Sequence, residues 1–152
     1  MSSRLFQKIR EDRGLAYSVY SYPVSYSAIG CFGMYAGTGE KQACEVCGLM
    51  LEELELILKN GLTQEEFERS RQQLRGNYLL GQESTSGRMN ALGKSLLLLG
   101  RIYTEEERLE QIEAITMQDV EEILPVVFAR ENACIAIVGR VEKQKEKIRK
   151  LL

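Results

Sequence analysis

The chain has 152 residues, of which 44% are hydrophobic and 28% are charged, and its formal net charge is −2. The length suits one domain over residues 1–152, and this hydrophobic fraction is typical of a soluble globular protein. No apolar run approaches the roughly 20 residues that span a bilayer, and no basic stripe suits a phosphate backbone, so we expect neither membrane nor nucleic acid as a partner. Histidine is absent, which removes the commonest general base and the commonest metal ligand.

The N-terminus does not have the character of a signal peptide, because Arg4, Lys8 and Arg10 interrupt any apolar core there. We therefore expect a cytoplasmic protein. The 4 cysteines do not make a disulfide framework in a chain of this length, so reduced thiols are expected. The chain also opens on a helix without a preceding strand, and we expect a further part of the protein upstream of Met1.

The opening residues predict a short helix, a glycine stop and a strand that starts at once. Gly14 can adopt the left-handed conformation that ends a helix. The residues that follow alternate as in a strand, with Leu15, Tyr17 and Val19 expected on one face. One turn then brings Arg10 and Tyr17 close together.

The remaining elements are predicted from hydrophobic periodicity and capping residues. In chain order they are a strand over 28–36, a helix over 40–59 with Ala43, Cys47, Met50 and Leu54 inside, a helix capped by Thr63, a break at 84–87, a helix over 88–99, two helices capped by Thr104 and Thr116, a buried central strand over 133–139 and a terminal helix. Because strands and helices are segregated along the chain, this order indicates an α+β fold. Three strands make a thin sheet, which a strand upstream of Met1 would complete.

Cys44 and Cys47 form a C-x-x-C at the start of a helix. Packing is the favoured interpretation, while a redox pair and a metal site remain alternatives. A zinc site would need two further ligands, and neither a second C-x-x-C nor any histidine exists in the sequence. The G-x-G at Gly37 and Gly39 lacks the third glycine of a dinucleotide fingerprint, so a strand-to-helix turn is predicted there.

Arg10 and Tyr17 are the candidate functional pair. An arginine can hold a carboxylate or a carbonyl in fork geometry, and a tyrosine can donate one hydrogen bond to a developing oxyanion. The residues alone favour a plainer alternative, in which Arg10 pairs with a nearby carboxylate and Tyr17 packs against the protein.

A family resemblance instead favours a functional role for Arg10 and Tyr17. The opening run Met1–Val19, M-S-S-R-L-F-Q-K-I-R-E-D-R-G-L-A-Y-S-V, resembles the most recognisable segment of the C-terminal domain of M16 zinc peptidases, the group of insulinase, pitrilysin and mitochondrial processing peptidase. The pattern G-L-T-x-E-E-F-x-R at Gly61–Arg69 and the later I-A-I-V-G are similar too. The resemblance covers essentially the whole chain and points to the bacterial, processing-protease type.

The resemblance implies a two-layer helix/antiparallel-sheet sandwich of the M16 peptidase (LuxS/MPP-like) type, here lacking its first strand. Members of the family close two such domains around an unfolded peptide and hold zinc in the N-terminal domain, on an H-x-x-E-H motif. Their C-terminal domain contributes an arginine and a tyrosine from an R-x₆-Y segment to contact with the substrate and the transition state. In this sequence those residues are Arg10 and Tyr17.

The sequence departs from the family pattern in having no H-x-x-E-H. The resemblance therefore implies a C-terminal fragment of a zinc-dependent metalloendopeptidase, with no metal or cofactor of its own and Zn²⁺ on a partner N-terminal domain. That domain, an extended peptide and a second subunit in a homo- or heterodimer are the expected partners, and the chain alone should be inactive. One alternative is a non-catalytic M16-like subunit that encloses peptide or scaffolds a complex; another is a thiol protein that uses Cys44 and Cys47.

Overall fold

A computed structural model describes residues 3–152. The start of the M16-like motif at Met1 and Ser2 lies outside the described residues. Within residues 3–152 the secondary structure is helix-rich with a two-stranded antiparallel sheet, which confirms the predicted α+β class. The elements are a π-helix at Phe6–Glu11 (the opening helix), β1 at Ala16–Ser25, β2 at Gly30–Thr38, α1 at Ala43–Asn60, α2 at Gln64–Glu83, α3 at Thr85–Leu99, α4 at Glu105–Ala114, α5 at Met117–Val127 and α6 at Lys145–Arg149, with short 3₁₀ turns at Glu40–Gln42, Arg130–Asn132 and Glu142–Gln144.

The chain divides into two compact units. The first contains the chain up to Ser25, Gly30–Gly61 and Leu124–Leu152, and the second contains Tyr26–Ile29 and Leu62–Ile123. The single domain over residues 1–152 that the sequence predicts stays a prediction.

The core of the first unit joins the opening helix, the sheet and α1. Its buried side chains come from all three elements, and Met34 and Ala36 of β2 pack against them; the buried residues are Ile9, Ala16, Val19, Val46, Leu49 and Met50. The buried face of α1 differs from the predicted one, because it is centred on Val46 and Leu49 and leaves Cys47 and Leu54 half-buried. Periodicity locates an apolar face only to within about a residue, and here the opening helix and β1 determine which side of α1 is covered.

The second unit is built from helices whose N-termini are capped as predicted. Thr63 and Thr104 each form a capping box, with Glu66 and Glu107 respectively. Thr116 exchanges the same pair of hydrogen bonds with Asp119. Within residues 3–152, no helix is both long enough and apolar enough to cross a membrane.

A side chain also joins two helices of the second unit. The Arg71 guanidinium on α2 donates to the carbonyls of Glu113 and Ile115, at 3.2 and 3.4 Å. These carbonyls lie at the C-terminal end of α4, where backbone acceptors lack helical partners. Arg71 therefore supplies donors that α4 cannot supply to itself.

The prediction of a buried central strand over residues 133–139 is wrong. Within residues 3–152 the sheet contains β1 and β2 only, and Val138 is fully exposed. An apolar run becomes a strand only when a neighbouring strand offers its backbone hydrogen bonds, and the described residues offer none to this run. The sequence pattern indicates that the segment is hydrophobic, but it does not indicate whether a neighbouring strand is present to pair with it.

Candidate functional site

The junction between the opening helix and β1 is built from local backbone hydrogen bonds. The Asp12 N–H donates to the Gln7 carbonyl at 2.9 Å, a wide turn that is typical of a π-helix. Two nested bonds then close the helix, from Gly14 N–H to the Arg10 carbonyl at 3.0 Å and from Leu15 N–H to the Ile9 carbonyl at 2.9 Å. Gly14 has a φ of +60°, the left-handed conformation that the sequence predicts for a glycine stop.

A β-bulge places Tyr17. Ala16 is paired with Thr38 and Ser18 with Gly37, so Tyr17 is the extra residue of β1 between two consecutive partners on β2. Ala16 and Val19 are both buried, whereas Tyr17 is 85% exposed. The predicted face of Leu15, Tyr17 and Val19 is therefore wrong, because the bulge breaks the alternation after Ala16.

Arg10 and Tyr17 are brought together, as the sequence predicts. The Arg10 Cζ atom lies 5.2 Å from the centroid of the Tyr17 ring and 4.9 Å from that of Phe6. This is the distance range of a cation–π contact. Among the nearby carboxylates, Glu11 lies 3.8 Å from Arg10 Nε, too far for a hydrogen bond.

The chemistry open to this pair follows from its exposure. The Arg10 side chain is 40% exposed, so the guanidinium edge is accessible to a partner. The exposed Tyr17 phenol can donate a hydrogen bond to an oxygen that develops negative charge. The structure thus shows the proximity of the two side chains; their roles in contact with substrate stay predictions.

An ion pair that the sequence did not reveal anchors the opening helix to α1. Lys8 Nζ lies 2.7 Å from Glu53 Oε1 and 3.0 Å from Glu52 Oε2. Glu53 is the buried charged residue of α1, with 6% of its surface exposed. The hydrogen bond to Glu53 is the largest cause that raises the pKa of Lys8, although burial acts against it and Glu52 adds to it. Arg10, two residues along, is thereby fixed to α1 through Lys8.

A signal for Glu53 was present in the sequence. It lies seven residues after the buried Val46, which places both on the same face of a helix. A run of carboxylates such as Glu52, Glu53 and Glu55 is more typical of a solvated helix surface. A buried carboxylate needs a partner, and the partner comes from another element.

Cys44 and Cys47 have the character of packed thiols. Burial raises the pKa of the Cys47 thiol, and the charge of Cys44 adds to the rise. A reactive cysteine has a lowered pKa instead, so the packing interpretation is favoured. The Cys44 backbone N–H donates at 3.0 Å to Oε1 of Gln144. Nε2 of the same side chain donates to the Glu40 carbonyl, so Gln144 binds backbone groups on both sides of the start of α1.

The residues of this chain do not fit a catalytic zinc ion. Within residues 3–152, no group of three or more His, Cys, Asp or Glu side chains is placed to hold a metal. Histidine is absent from the whole sequence, and zinc sites of hydrolases are built largely on it. The described part of the chain therefore places an arginine and a tyrosine beside one another and forms no metal site.

The structure thus defines an α+β domain with a helix-to-strand junction that presents an arginine and a tyrosine. Residues 1–74 match the model of the family domain described as "Peptidase M16 inactive domain". The chain belongs to the M16 peptidase family, and it is a C-terminal domain of that family.

Curated relatives carry names of the same kind. The chain is 39% identical over 137 residues to the "Uncharacterized zinc protease YmxG" of Bacillus subtilis (strain 168), covering 90% of this chain and 34% of the relative. It is also 39% identical over 148 residues to an uncharacterized zinc protease of Streptomyces coelicolor, covering 97% of this chain and 32% of the relative. The chain thus spans about a third of the length of these relatives.

Solved structures share the fold. A chain of complex III2 from Candida albicans, Inz-5 bound, matches with a TM-score of 0.72 at 22% identity, over 83% of this chain and 30% of that chain. The periplasmic protease PqqL from Escherichia coli matches with a TM-score of 0.64 at 20% identity, over 82% of this chain and 14% of that chain. Because both identities are low, these likenesses show the fold alone.

Proposed function

We propose that the chain is the non-zinc, C-terminal domain of a zinc-dependent metalloendopeptidase, and that Arg10 and Tyr17 contact the peptide near the scissile bond. The observation that carries the proposal is the cation–π contact of 5.2 Å between these two exposed side chains. The zinc protease names of the bacterial relatives support it. The zinc-bearing N-terminal domain of the family and an extended peptide are the proposed partners, with a second subunit in a homo- or heterodimer.

The proposed roles follow from the chemistry of each side chain. The Arg10 guanidinium donates hydrogen bonds to a backbone carbonyl or a carboxylate of the peptide and fixes its position. The Tyr17 hydroxyl donates one hydrogen bond to the oxygen on which charge develops in the tetrahedral transition state. The metal supplies water activation from the partner domain, so this chain's contribution is positioning and charge stabilisation.

The test is peptide hydrolysis by the complete protein, with the zinc-bearing domain present in the same polypeptide or added as a subunit. Tyr17→Phe removes the donor and keeps the ring over which Arg10 lies. We expect kcat to fall about 10²- to 10³-fold, the usual effect of losing one oxyanion donor. Arg10→Ala should raise KM and lower kcat together.

A control separates loss of chemistry from loss of structure. Arg13→Ala removes another arginine of the same segment, whose contact with Glu45 is long, at 3.6 Å. It should leave kcat/KM within about twofold, because exposed ion pairs contribute little. Unchanged kcat/KM in both Tyr17→Phe and Arg10→Ala would show that the roles are wrongly assigned.

The second candidate function is a non-catalytic subunit that encloses a peptide or scaffolds a complex. The description of the matching domain as inactive favours it. In that case the complete protein would bind an extended peptide without cleaving it. Arg10→Ala would then weaken binding while hydrolysis stays at background in the wild type.

A further inference from the structure

The hairpin that carries Tyr17 is unlike the rest of the chain in its charge. β1 has the sequence AYSVYSYPVS and β2 the sequence GCFGMYAGT, and neither contains Asp, Glu, Lys or Arg. Charged residues make up 28% of the whole sequence. The two strands therefore offer no charged side chain to form an ion pair with a phosphate, a carboxylate or an ammonium ion.

Three tyrosines cluster on this hairpin. The Tyr20 and Tyr35 rings stack across the strands, with centroids 5.0 Å apart and an interplanar angle of 29°. The Tyr22 ring lies 5.9 Å from Tyr20 in a tilted arrangement. All three remain 43–49% exposed, so each ring presents part of its surface to solvent. We name these residues the tyrosine cluster.

A glycine of β2 makes room for one of the rings. A Cβ atom at Gly33, the partner of Tyr22 across the strands, would lie 2.6 Å from the Tyr22 ring. The Tyr22 ring thus occupies a position from which any side chain at residue 33 would displace it.

The cluster is continuous with the Arg10–Tyr17 site along β1. A strand rises about 3.3 Å per residue, so Tyr20 and Tyr22 lie roughly 10 and 17 Å beyond Tyr17. An extended peptide rises by the same amount. A peptide that runs along β1 with its scissile bond beside Arg10 and Tyr17 would present residues about three to five positions from that bond to the cluster.

We propose that the tyrosine cluster is a subsite for an aromatic side chain of the bound peptide, three to five residues from the scissile bond. The inference rests on the proposed function of Arg10 and Tyr17, because it places the peptide by that site. An aromatic ring fits for two reasons: half-exposed phenol rings offer π-faces and edges for stacking, and the hairpin has no charge to favour an ionic partner. The subsite sets specificity, while the bond is cleaved elsewhere.

The test compares peptides that carry Trp or Ser at one position, scanned over positions three to five on both sides of the scissile bond. The complete protein, with its zinc-bearing domain, is the enzyme. We expect kcat/KM to favour Trp over Ser by about 3- to 10-fold at one position, the scale of one aromatic pair. No preference at any scanned position in the wild type would overturn the proposal.

Matched variants locate the preference. Tyr20→Thr keeps a strand-forming residue and removes the ring, and it should bring the Trp preference to about 1 while the Ser peptide is cleaved at the wild-type rate. Tyr20→Phe keeps the ring and should keep the preference. Tyr26→Thr removes a more exposed tyrosine (66%) outside the cluster and is the control. A preference that survives in both Tyr20→Thr and Tyr35→Thr would overturn the proposal.

A measurement on the wild type covers the case in which the threonine variants do not fold. A peptide with a nitroxide label at the preferred position should broaden the ring resonances of Tyr20, Tyr22 and Tyr35 more strongly than that of Tyr26, which follows Tyr22 by four residues. Sharp cluster resonances would mean that another part of the protein, or a second copy, covers the cluster, and the proposal would fail.

The two proposals fail differently. Arg10→Ala should slow cleavage of both peptides and keep their ratio, because the cluster is intact. If no peptide is cleaved at all, the proposed catalytic function fails, and the Kd ratio of Trp and Ser peptides measured by fluorescence anisotropy still tests the subsite. If cleavage depends on Arg10 but no variant of the cluster changes the ratio, only the subsite fails.

Discussion

Replacing either member of the Lys8–Glu53 ion pair should lower the free energy of unfolding, but by different amounts. Lys8→Met leaves the Glu53 carboxylate, with 8% of its side chain exposed, in a site without its ammonium partner. Losing one member of a fully buried pair costs about 3–5 kcal/mol. The Lys8 side chain is 22% exposed, so water reaches the site, and we expect a smaller loss of about 2–3 kcal/mol in the free energy of unfolding.

Replacing Glu53 instead of Lys8 should lower the free energy of unfolding by a smaller amount. Glu53→Gln keeps an oxygen that accepts from Lys8, and Lys8 keeps Glu52 at 3.0 Å. We therefore expect a loss of about 1 kcal/mol, the net value of one ordinary hydrogen bond. The double variant Lys8→Met/Glu53→Leu removes both charges and should return to within about 1 kcal/mol of the wild type. Glu52→Gln, at a site 54% exposed, is the control and should cost less than either single change.

The assay is urea denaturation followed by far-ultraviolet circular dichroism at neutral pH. The stabilisation by this ion pair should also depend on pH. Because the pKa of Lys8 is raised above 10.5 in the folded state, the contribution of Lys8 to the free energy of unfolding is fully present below pH 10.5. That contribution is lost as pH rises through the folded pKa, so the difference between wild type and Lys8→Met should shrink there. Equal costs for Lys8→Met and Glu53→Gln, or a Lys8→Met/Glu53→Leu variant no more stable than Lys8→Met alone, would refute the reasoning.

Two further changes test the junction and the thiols. Gly14→Ala places a side chain at φ +60° in otherwise open space, so the free energy of unfolding should fall by about 1 kcal/mol from backbone strain alone; an unchanged urea midpoint would contradict a left-handed stop. Cys44→Ser/Cys47→Ser should leave peptide binding and cleavage by the complete protein within about twofold, because the Cys47 thiol, whose pKa burial raises, is not activated and a redox pair needs one activated thiol; a large loss of activity would restore the thiol hypothesis.

Features that depend on neighbouring residues were predictable from the sequence. The helix stop at Gly14 and the caps at Thr63, Thr104 and Thr116 each follow from a side chain that satisfies backbone groups within a few residues. The closeness of Arg10 and Tyr17 follows in the same way, since one turn joins them. These interactions need no partner from another element.

Features that depend on distant residues were not predictable. The bulge at Tyr17 is defined by its register against Thr38 and Gly37, which lie about twenty residues away in β2. The ion pair of Glu53 forms because Lys8 approaches from another helix. In both cases the deciding contact joins separate elements, and periodicity along one element carries no information about it.

Two local irregularities follow one another at the Arg10–Tyr17 junction. The π-turn adds one residue to the helix that presents Arg10, and the bulge adds one residue to the strand that presents Tyr17. Each insertion turns the following side chains away from the direction that a regular element would give them. A regular strand that alternates from the buried Ala16 would also expose Tyr17, but it would then expose Val19, which is buried here. The bulge therefore allows an exposed site residue, Tyr17, and a buried core residue, Val19, to lie only two positions apart on one strand.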